Sequence, residues 1–239
     1  MMKIALIGTG KMGRAIQEIA QQRGHQIVLT IDSSTQHLFT SESLKAADVA
    51  IEFTSPHSAF QNITRCLEAG IPTVCGSTGW TTALESAAAL CRQLNGSFIY
   101  ASNFSVGVNL FFELNKKLAS LMAAQPNYEV ILEEIHHTQK KDAPSGTAIT
   151  LAEQILDLLD RKKQWVNDIS DNPEDLEIIS QRIDPTPGTH SIKYSSVIDD
   201  IEIIHTAHNR TGFAAGAVKA AEYIVDKKGV FTMKDVLGL

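Results

Sequence analysis

The chain has 239 residues, and 27 acidic against 21 basic residues give it a formal net charge of -6. An acidic chain lacks the large basic face that general nucleic-acid binding requires, so no nucleic-acid partner is expected. No apolar run reaches the roughly 18 residues of a membrane span, which predicts no membrane association. The apolar stretch at residues 4–7 is too short for a secretory signal. Three cysteines without a CxxC pair exclude a disulfide framework and most zinc sites, and favour a cytoplasmic location.

Short β-branched segments alternate with helical patterns in the N-terminal part of the chain. Five strands are predicted there, at residues 3–7, 27–31, 49–53, 73–75 and 98–100. Strands separated by helices favour right-handed crossovers and a parallel sheet. The sequence therefore predicts an α/β domain of the dinucleotide-binding type over residues 1–105.

The pattern changes after about Ser105, where a long helix-like segment begins. The further predicted elements are a helix at 108–123, a strand at 129–135, a helix that opens at Pro144, neighbouring antiparallel strands at 176–183, 190–196 and 201–206, and a helix at 213–226 that Gly229 ends. This order predicts an inserted α+β domain and a C-terminal helix that returns to the first domain.

A glycine-rich loop follows the first predicted strand and opens the first predicted helix. Its sequence, Gly8-Thr9-Gly10-Lys11-Met12-Gly13, fits the pattern G-x-G-x-x-G. Glycines in this pattern let the backbone turn tightly and approach a pyrophosphate at a helix N-terminus. About 20 residues further on, Asp32 ends the second strand, where a carboxylate can accept hydrogen bonds from ribose hydroxyls. The combination predicts dinucleotide binding rather than a glycine turn without a ligand.

The residues after Asp32 bear on the choice of cofactor. Ser33 and Ser34 follow the acid, and neither is the Arg that accommodates the 2′-phosphate of NADPH. NADH is therefore the expected preferred cofactor. Lys11 and Arg14 lie close enough in sequence to leave NADPH as a second, less favoured cofactor.

Two further loops follow strands of the same predicted sheet, at Phe53-Thr54-Ser55-Pro56 and Gly76-Ser77-Thr78-Gly79. Ligands of open parallel sheets lie across the carboxyl ends of the strands, so both loops are expected to border the nicotinamide half of the cofactor. Either loop alone would be read as an ordinary βα connection. Cys75 is interpreted as a small buried residue rather than a nucleophile.

The densest polar segment of the chain spans residues 133–147 and contains adjacent histidines, His136 and His137, at the end of a predicted strand. An imidazole can donate a proton near neutral pH. A histidine pair can also bind metal, but adjacent strand residues point to opposite faces, so no metal site is expected. A purely structural pair is the remaining alternative.

A predicted helix start follows the two histidines. The backbone N–H groups of Ser145, Gly146 and Thr147 are expected to point outward and bind an anion such as a carboxylate. Lys140 and Lys141 add positive charge at the same place. The segment therefore predicts a site for a small carboxylate substrate that needs acid catalysis.

Several segments together resemble the 4-hydroxy-tetrahydrodipicolinate reductase family of bacterial and plant lysine and diaminopimelate biosynthesis. They are GTGKMG, FTSP, GSTG, ASNFSVGVN at 101–109, EEIHHTQKKDAPSGTA at 133–148 and IEIIHTAHNRTGFAAGAVKAAEYI at 201–224. The similarity covers nearly the whole chain. The segment around His136 is highly specific, whereas the glycine loop is not.

The resemblance implies NAD(P)H-dependent reduction of 4-hydroxy-tetrahydrodipicolinate to tetrahydrodipicolinate with loss of water. It also implies a Rossmann domain of residues 1–105, completed by residues 211–239. Residues 106–210 would form a domain that binds the dicarboxylate substrate and whose open mixed sheet assembles a homotetramer.

Individual roles also follow from the resemblance. His136 matches the proton donor and acceptor, and Lys140 matches the other catalytic residue. His137, Gly146 and Thr147 match substrate-binding positions. The matching cofactor-binding positions are Gly8, Thr9, Gly10, Lys11, Met12, Gly13, Asp32, Gly76, Ser77, Thr78, Ala101, Ser102, Asn103 and Phe104.

Two positions depart from many members of that family. Ser33 stands where many have Arg, and Arg182-Ile183-Asp184 stands where many have R-x-G, which leaves the role of Arg182 open. Two alternative functions are a reductive deaminase such as an aspartate dehydrogenase, and a dinucleotide sensor without enzymatic activity. The segment from His136 to Thr147 argues against the first, and His136 and Lys140 beside an anion site argue against the second.

Overall fold

The computed structural model describes all residues from 1 to 239. It divides into two compact units: residues 1–106 with 210–239 form unit 1, and residues 107–209 form unit 2. No helix combines the length and the apolar composition that crossing a membrane requires. The roles of the two units in cofactor and substrate binding stay predictions.

The chain forms eleven strands and eight α-helices. The strands are β1 Lys3–Ile7, β2 Gln26–Ile31, β3 Val49–Glu52, β4 Thr73–Cys75, β5 Ser97–Tyr100, β6 Glu129–His136, β7 Gln164–Val166, β8 Asp175–Arg182, β9 Gly188–Ser195, β10 Asp200–Ala207 and β11 Gly229–Phe231. The helices are α1 Lys11–Gln22, α2 Ser41–Leu44, α3 Ala59–Glu68, α4 Leu84–Gln93, α5 Val106–Met122, α6 Gly146–Leu156, α7 Thr211–Ile224 and α8 Met233–Leu237.

Unit 1 is built on a six-stranded sheet in the order β11-β5-β4-β3-β1-β2, with every pair of neighbours parallel. All four residues of β3 are buried, as expected for a strand covered on both faces by helices. Helix α7 presents alanines and glycine to this core, and a Cβ on Gly216 would lie 1.7 Å from the carbonyl oxygen of Phe104. The predicted Rossmann-type parallel sheet is confirmed.

Unit 2 contains a mixed sheet in the order β10-β9-β6-β8-β7. Strand β6 pairs parallel with β8 and antiparallel with β9, and β9 pairs antiparallel with β10. Apolar side chains of α5 and α6, among them Phe111 and Leu151, pack with Leu132, Ile178 and Ile192 of the sheet. Because a mixed sheet with helices forms this core, the predicted second α+β domain with an open mixed sheet is also confirmed.

One expected strand pairing is wrong. The segments at 176–183 and 190–196 were expected to be neighbours, but β8 and β9 run antiparallel on opposite sides of β6. The backbone N–H of Ile183 donates to the carbonyl oxygen of His136, 2.7 Å away. The connection between β8 and β9 therefore passes over the carboxyl end of β6 instead of forming a hairpin.

The expected role of Gly229 as a helix C-cap is wrong as well. Helix α7 already ends at Ile224, and Gly229 begins β11 instead. Its N–H donates to the carbonyl oxygen of Gly96, which starts the pairing of β11 with β5. Strands β7 and β11, with three residues each, are too short to show a periodicity in the sequence.

Candidate active site

The three glycines of the loop between β1 and α1 differ in what surrounds them. A Cβ on Gly8 would lie 2.0 Å from the carbonyl oxygen of Phe53, and one on Gly13 would lie 2.0 Å from that of Gly8. A Cβ on Gly10, the N-cap of α1, would meet no atom within 4 Å. Packing within unit 1 therefore requires Gly8 and Gly13, whereas Gly10 keeps open space at the helix N-terminus, where a phosphate would approach.

Two cavities lie along the carboxyl ends of the unit 1 strands. The larger, of about 500 Å³, is lined by Gly8, Thr9, Gly10, Ile31, Asp32, Ser33, Gln36, Phe53, Thr54, Ser58 and Asn62. The smaller, of about 170 Å³, is lined by Met12, Phe53, Gly76, Ser102, Asn103, Phe104 and Phe213. Phe53 lines both, so the two cavities are neighbours. Sequence reasoning included neither Asn62 nor Phe213 among the candidate residues.

The other residues predicted to bind the cofactor do not line these cavities. Lys11 is exposed at the start of α1, and Ala101 packs against the core of unit 1. Ser77 is buried, and its hydroxyl accepts the backbone N–H of Thr54 at 2.7 Å. This bond joins the loops that follow β3 and β4, so Ser77 stabilises the loop that lines the larger cavity. Thr78 is exposed next to it.

Asp32 projects from the end of β2 into the larger cavity, and its carboxylate is already partly engaged. Its Oδ1 accepts the backbone N–H and the hydroxyl of Ser34, at 2.8 Å and 2.7 Å, and the N–H of Thr35 at 3.1 Å. Its Oδ2 accepts the hydroxyl of Thr9 at 3.3 Å. The bonds from Ser34, and then those from Thr35, lower the pKa of Asp32 to about 2. The carboxylate is therefore ionised at neutral pH.

Unit 2 carries a buried polar cluster around the end of β6. Alternation along the strand buries Glu134 and His136 on one face of the sheet. The strand register places Ser180 of β8 and His190 of β9 opposite Glu134, and Arg182 opposite His136. Side chains of directly paired residues lie on the same face, so the strand order brings all five groups together.

Glu134 is at the centre of this cluster and is fully buried. Its Oε1 accepts three hydrogen bonds: the N–H of Ser145 at 3.1 Å, the hydroxyl of Ser180 at 2.8 Å and Nη2 of Arg182 at 3.1 Å. Its Oε2 lies 3.0 Å from Nδ1 of His136, and neither of these two atoms has a hydrogen-bond partner. Burial raises the pKa of Glu134, but the His136 ring and the three donors outweigh it and hold that pKa well below its usual range.

His190 lies beside Glu134 and is also buried. Its Nε2 is 3.0 Å from the hydroxyl of Ser145 and 3.8 Å from Oε2 of Glu134. Burial, and then the neighbouring His136, lower the pKa of His190 to about 3, so its ring is neutral at neutral pH. Sequence reasoning missed this residue, although a histidine on the same strand face as Ile192 and Tyr194 was a usable signal.

The cluster has the composition of a metal site, since ligand atoms of Glu134, His136 and His190 lie within 4.8 Å of one another. The guanidinium of Arg182 already neutralises Glu134, and a metal ion there would meet like charge. The hydroxyl of Ser145 occupies Nε2 of His190. Both contacts favour a proton-handling cluster over a metal centre.

The N-terminus of α6 differs from the expectation in one respect. The N–H of Ser145 was expected to face an anion, but it donates to Glu134, and the Ser145 hydroxyl accepts the N–H of Ala148. Ser145 is thus a buried N-cap and is unavailable as an anion donor. Gly146 is exposed, and a Cβ added to it would meet no atom within 4 Å. Gly146 is therefore the exposed residue of the helix N-terminus, and the partly exposed Thr147 follows it.

The loop between β6 and α6 is anchored at several points. Thr138 donates its N–H and hydroxyl to Asp184, and Nζ of Lys140 contacts both carboxylate oxygens of Asp142. Arg182 Nη2 donates to the carbonyl oxygen of Asp142 at 2.6 Å, in addition to its bond with Glu134. Arg182, whose role the sequence left open, therefore links the buried carboxylate of Glu134 to the loop that carries Lys140.

Unit 2 brings together most of the residues that the sequence singled out for catalysis and substrate binding. His136 is almost entirely buried, His137 and Lys140 are partly exposed, and Lys141 is exposed. Both His136 and Lys140 lie close enough to His190 to contribute, after burial, to its lowered pKa. An imidazole ring and a lysine side chain therefore lie in one small region of unit 2, and the exposed Gly146 at the N-terminus of α6 follows in the same loop.

Comparisons with known proteins agree over the whole chain. Residues 2–104 match the family described as "Dihydrodipicolinate reductase, N-terminus", and residues 107–237 match "Dihydrodipicolinate reductase, C-terminus". The chain is 51% identical over 236 residues to a 4-hydroxy-tetrahydrodipicolinate reductase of Christiangramia forsetii, covering 99% of this chain and 98% of that protein. It is 33% identical over 267 residues to the protein of the same name from Acinetobacter baumannii, covering 99% and 96%.

Solved structures are also similar to this chain. A dipicolinate-bound dihydrodipicolinate reductase from Paenisporosarcina superimposes with a TM-score of 0.77 at 25% identity, covering 97% of each chain. An apo scyllo-inositol dehydrogenase from Lactobacillus casei reaches a TM-score of 0.57 at 13% identity, covering 100% of this chain and 94% of that one, a likeness of fold alone.

Proposed function

The chain belongs to the dihydrodipicolinate reductase family, and we propose that it reduces 4-hydroxy-tetrahydrodipicolinate to tetrahydrodipicolinate, with loss of water, in lysine and diaminopimelate biosynthesis. The observation that carries this proposal is 51% identity, over nearly the full length of both chains, to a protein named for that reaction. The polar cluster of unit 2 supports it, because it supplies a buried histidine and a lysine for a reaction that needs a proton and has an anionic substrate.

NAD(P)H supplies the hydride when it is bound, and the cavities of unit 1 fit such a cofactor. Gly10 leaves open space at the N-terminus of α1 for the pyrophosphate, and Asp32 offers an ionised carboxylate to ribose hydroxyls. The smaller cavity, with Phe53 and Gly76 in its wall, would hold the nicotinamide. NADH is the preferred cofactor in this proposal, because a 2′-phosphate beside Asp32 would meet like charge and Ser33 offers no cation.

The substrate would bind to unit 2 through its carboxylates. One of them would accept hydrogen bonds from the N–H groups of Gly146 and Thr147, at the α6 N-terminus, which carries a partial positive charge. Lys140 would balance negative charge, and His137 would add a further contact. His136 would exchange the proton of the reaction.

A homotetramer in the cytoplasm completes the proposal. Ile204 of β10 is 58% exposed and lies on the same sheet face as the partly exposed Ile131 and Ile135 of β6, and an apolar sheet face of this kind is commonly covered by another subunit. The number four comes from the family resemblance. Light scattering at micromolar protein concentration tests it, since a monomer mass would reject assembly.

Oxidation of NADH in the presence of freshly generated 4-hydroxy-tetrahydrodipicolinate tests the activity directly. We expect substrate-dependent loss of the NADH absorbance and no turnover with oxaloacetate and ammonia. Turnover of the second pair would identify a reductive deaminase instead. NADH binding without turnover of either would identify a dinucleotide sensor.

A further inference from the structure

We propose that Glu134 positions His136 for proton transfer, by accepting the Nδ1–H of its imidazole ring and leaving Nε2 as the atom that exchanges a proton with the substrate. The inference rests on the proposed function, because it takes His136 as the residue that handles the reaction's proton. Glu134 itself touches no reacting atom in this proposal and is a positioning residue.

The two oxygens of the Glu134 carboxylate make different contacts. Oε1 is occupied by three donors, from Ser145, Ser180 and Arg182. Oε2 has no hydrogen-bond partner, and neither has Nδ1 of His136, although both atoms are buried. The two lie 3.0 Å apart, and buried polar atoms left unpaired destabilise a fold. A hydrogen bond from Nδ1–H to Oε2 would satisfy both atoms.

A second imidazole ring, that of His190, also lies near Oε2. His190 Nε2 is 3.8 Å from that oxygen, beyond hydrogen-bond distance, and contacts the hydroxyl of Ser145 at 3.0 Å instead. The His190 ring meets the His136 ring at 74° with 5.1 Å between their centroids. His190 therefore packs against the His136 ring and does not compete with Nδ1 of His136 for a hydrogen bond to Oε2.

On the opposite side of the His136 ring, Nε2 lies next to a glycine. A Cβ placed on Gly188, the first residue of β9, would lie 3.0 Å from Nε2 and 3.2 Å from Cδ2. Any side chain at position 188 would crowd the atom that has to meet the substrate. The glycine keeps that side of the ring uncovered while Glu134 holds the other side.

The side chain of Glu134 determines which nitrogen of the His136 ring carries a hydrogen. An ionised carboxylate only accepts hydrogen bonds, so the ring nitrogen that faces it carries a hydrogen, and the neutral ring then has its lone pair at Nε2. In the protonated ring Nε2 also carries a hydrogen, and the charge of Glu134 stabilises the imidazolium. Transfer of the Nε2 proton to the substrate leaves a neutral ring with Nδ1–H, and a solvent proton restores it. Carboxylates orient catalytic histidines of serine hydrolases in the same manner.

The Glu134→Gln substitution tests the proposal, with Glu133→Gln as its matched control. Glutamine keeps the volume of the side chain but turns an N–H toward Nδ1 of His136, which favours the tautomer with the hydrogen on Nε2. Glu133 is the neighbouring residue on the opposite face of β6, where it accepts from Gln181. We expect kcat to fall about 100-fold or more in Glu134→Gln, with KM for NADH unchanged, and to stay near the wild-type value in Glu133→Gln.

A merely structural Glu134 would lower the amount of folded protein or its Tm and leave kcat per folded molecule unchanged. That result would overturn the proposal. Partial recovery of kcat in Glu134→Asp, which keeps the charge, is also expected. No recovery at all would contradict the role of the carboxylate.

Nitrogen NMR of the ¹⁵N-histidine-labelled protein reads the tautomer without any activity and remains informative if Glu134→Gln does not fold. The His136 signals are assigned by their loss in His136→Asn. We expect the neutral ring of the wild type, observed at alkaline pH, to carry its hydrogen on Nδ1, and a hydrogen on Nε2 would overturn the proposal. An inactive wild-type enzyme with the hydrogen on Nδ1 would instead contradict the proposed function and leave the Glu134–His136 contact standing.

Discussion

Nζ of Lys140 lies 2.9 Å and 2.8 Å from the two carboxylate oxygens of Asp142, two residues further along the loop after β6. Burial raises the pKa of Asp142, but the Lys140 ammonium outweighs it and lowers that pKa below its usual value. The Asp142 side chain is 61% exposed, and pairs screened by water contribute only about 0–1 kcal/mol. The pair therefore orients Lys140 yet leaves it free to exchange Asp142 for a substrate carboxylate at little cost.

Replacement of His136 or Lys140 by Ala is expected to lower kcat about 100-fold or more, the usual effect of losing a positioned acid or a charge stabiliser. His137→Ala is expected mainly to raise KM for the dicarboxylate substrate, because that residue is assigned to binding. Steady-state kinetics on the three variants, with thermal melts to establish that each is folded, make the comparison. NADH binding is expected to survive in all three, since the glycine loop belongs to unit 1. A His136→Ala enzyme with near wild-type kcat would contradict the assignment.

Two glycine substitutions separate packing from ligand approach. Gly10→Ala is expected to leave Tm unchanged, because its Cβ meets no protein atom within 4 Å, and to weaken NADH binding at the helix N-terminus. Gly13→Ala is expected to lower Tm, because its Cβ would lie 2.0 Å from the carbonyl oxygen of Gly8. Thermal melts and NADH titrations of both variants provide the measurement. Unchanged NADH affinity in Gly10→Ala would argue against a pyrophosphate at this loop.

The choice of cofactor depends on the charge beside the ribose. Wild-type kcat/KM is expected to be higher with NADH than with NADPH, because ionised Asp32 repels a 2′-phosphate. Ser33→Arg is expected to move the ratio toward NADPH by supplying a cation for that phosphate. Kinetics with both cofactors test this, and a wild-type enzyme at least as active with NADPH would refute the argument from Asp32.

The stability of the fold is expected to fall as the pH drops from 7 to 5. Burial, with His136 next to it, lowers the pKa of His190 from 6.5 to about 3 in the folded chain. At a pH between these two pKa values, His190 is protonated in the unfolded chain and neutral in the folded chain, so acid favours unfolding. At pH 5 the loss from this group amounts to about 2 kcal/mol at most.

His190→Gln, which cannot take up a proton, is expected to flatten that part of the pH dependence. Denaturant unfolding of the wild type and the variant at pH 7 and pH 5 provides the comparison, and the titrating groups that do not interact with His190 cancel between the two proteins. Equal pH dependence in both would show that His190 is not the responsible group.

The sequence by itself determined the features that are local in the chain. The glycine loop, the acid that ends β2 and the alternation that puts His136 at the buried end of β6 each depend on residues within one strand, turn or helix. Helix α6, which was expected to open at Pro144, begins two residues later at Gly146, because Ser145 caps it and an N-cap acts within a single turn. Such short-range patterns are visible in a sequence because the interactions that enforce them span only a few positions.

Only the tertiary structure decided what surrounds Glu134. Ser180 and His190 come from strands that are distant in the chain, and they meet Glu134 because β8 and β9 flank β6 in a particular register. The same arrangement turns the N–H of Ser145 away from solvent, against the expectation from the sequence. Strand order and register result from long-range packing and loop closure, and a shift of one residue would move every one of these side chains to the other face of the sheet. The polar cluster around Glu134 is therefore a product of the sheet's assembly, although His136 was recognisable in the sequence.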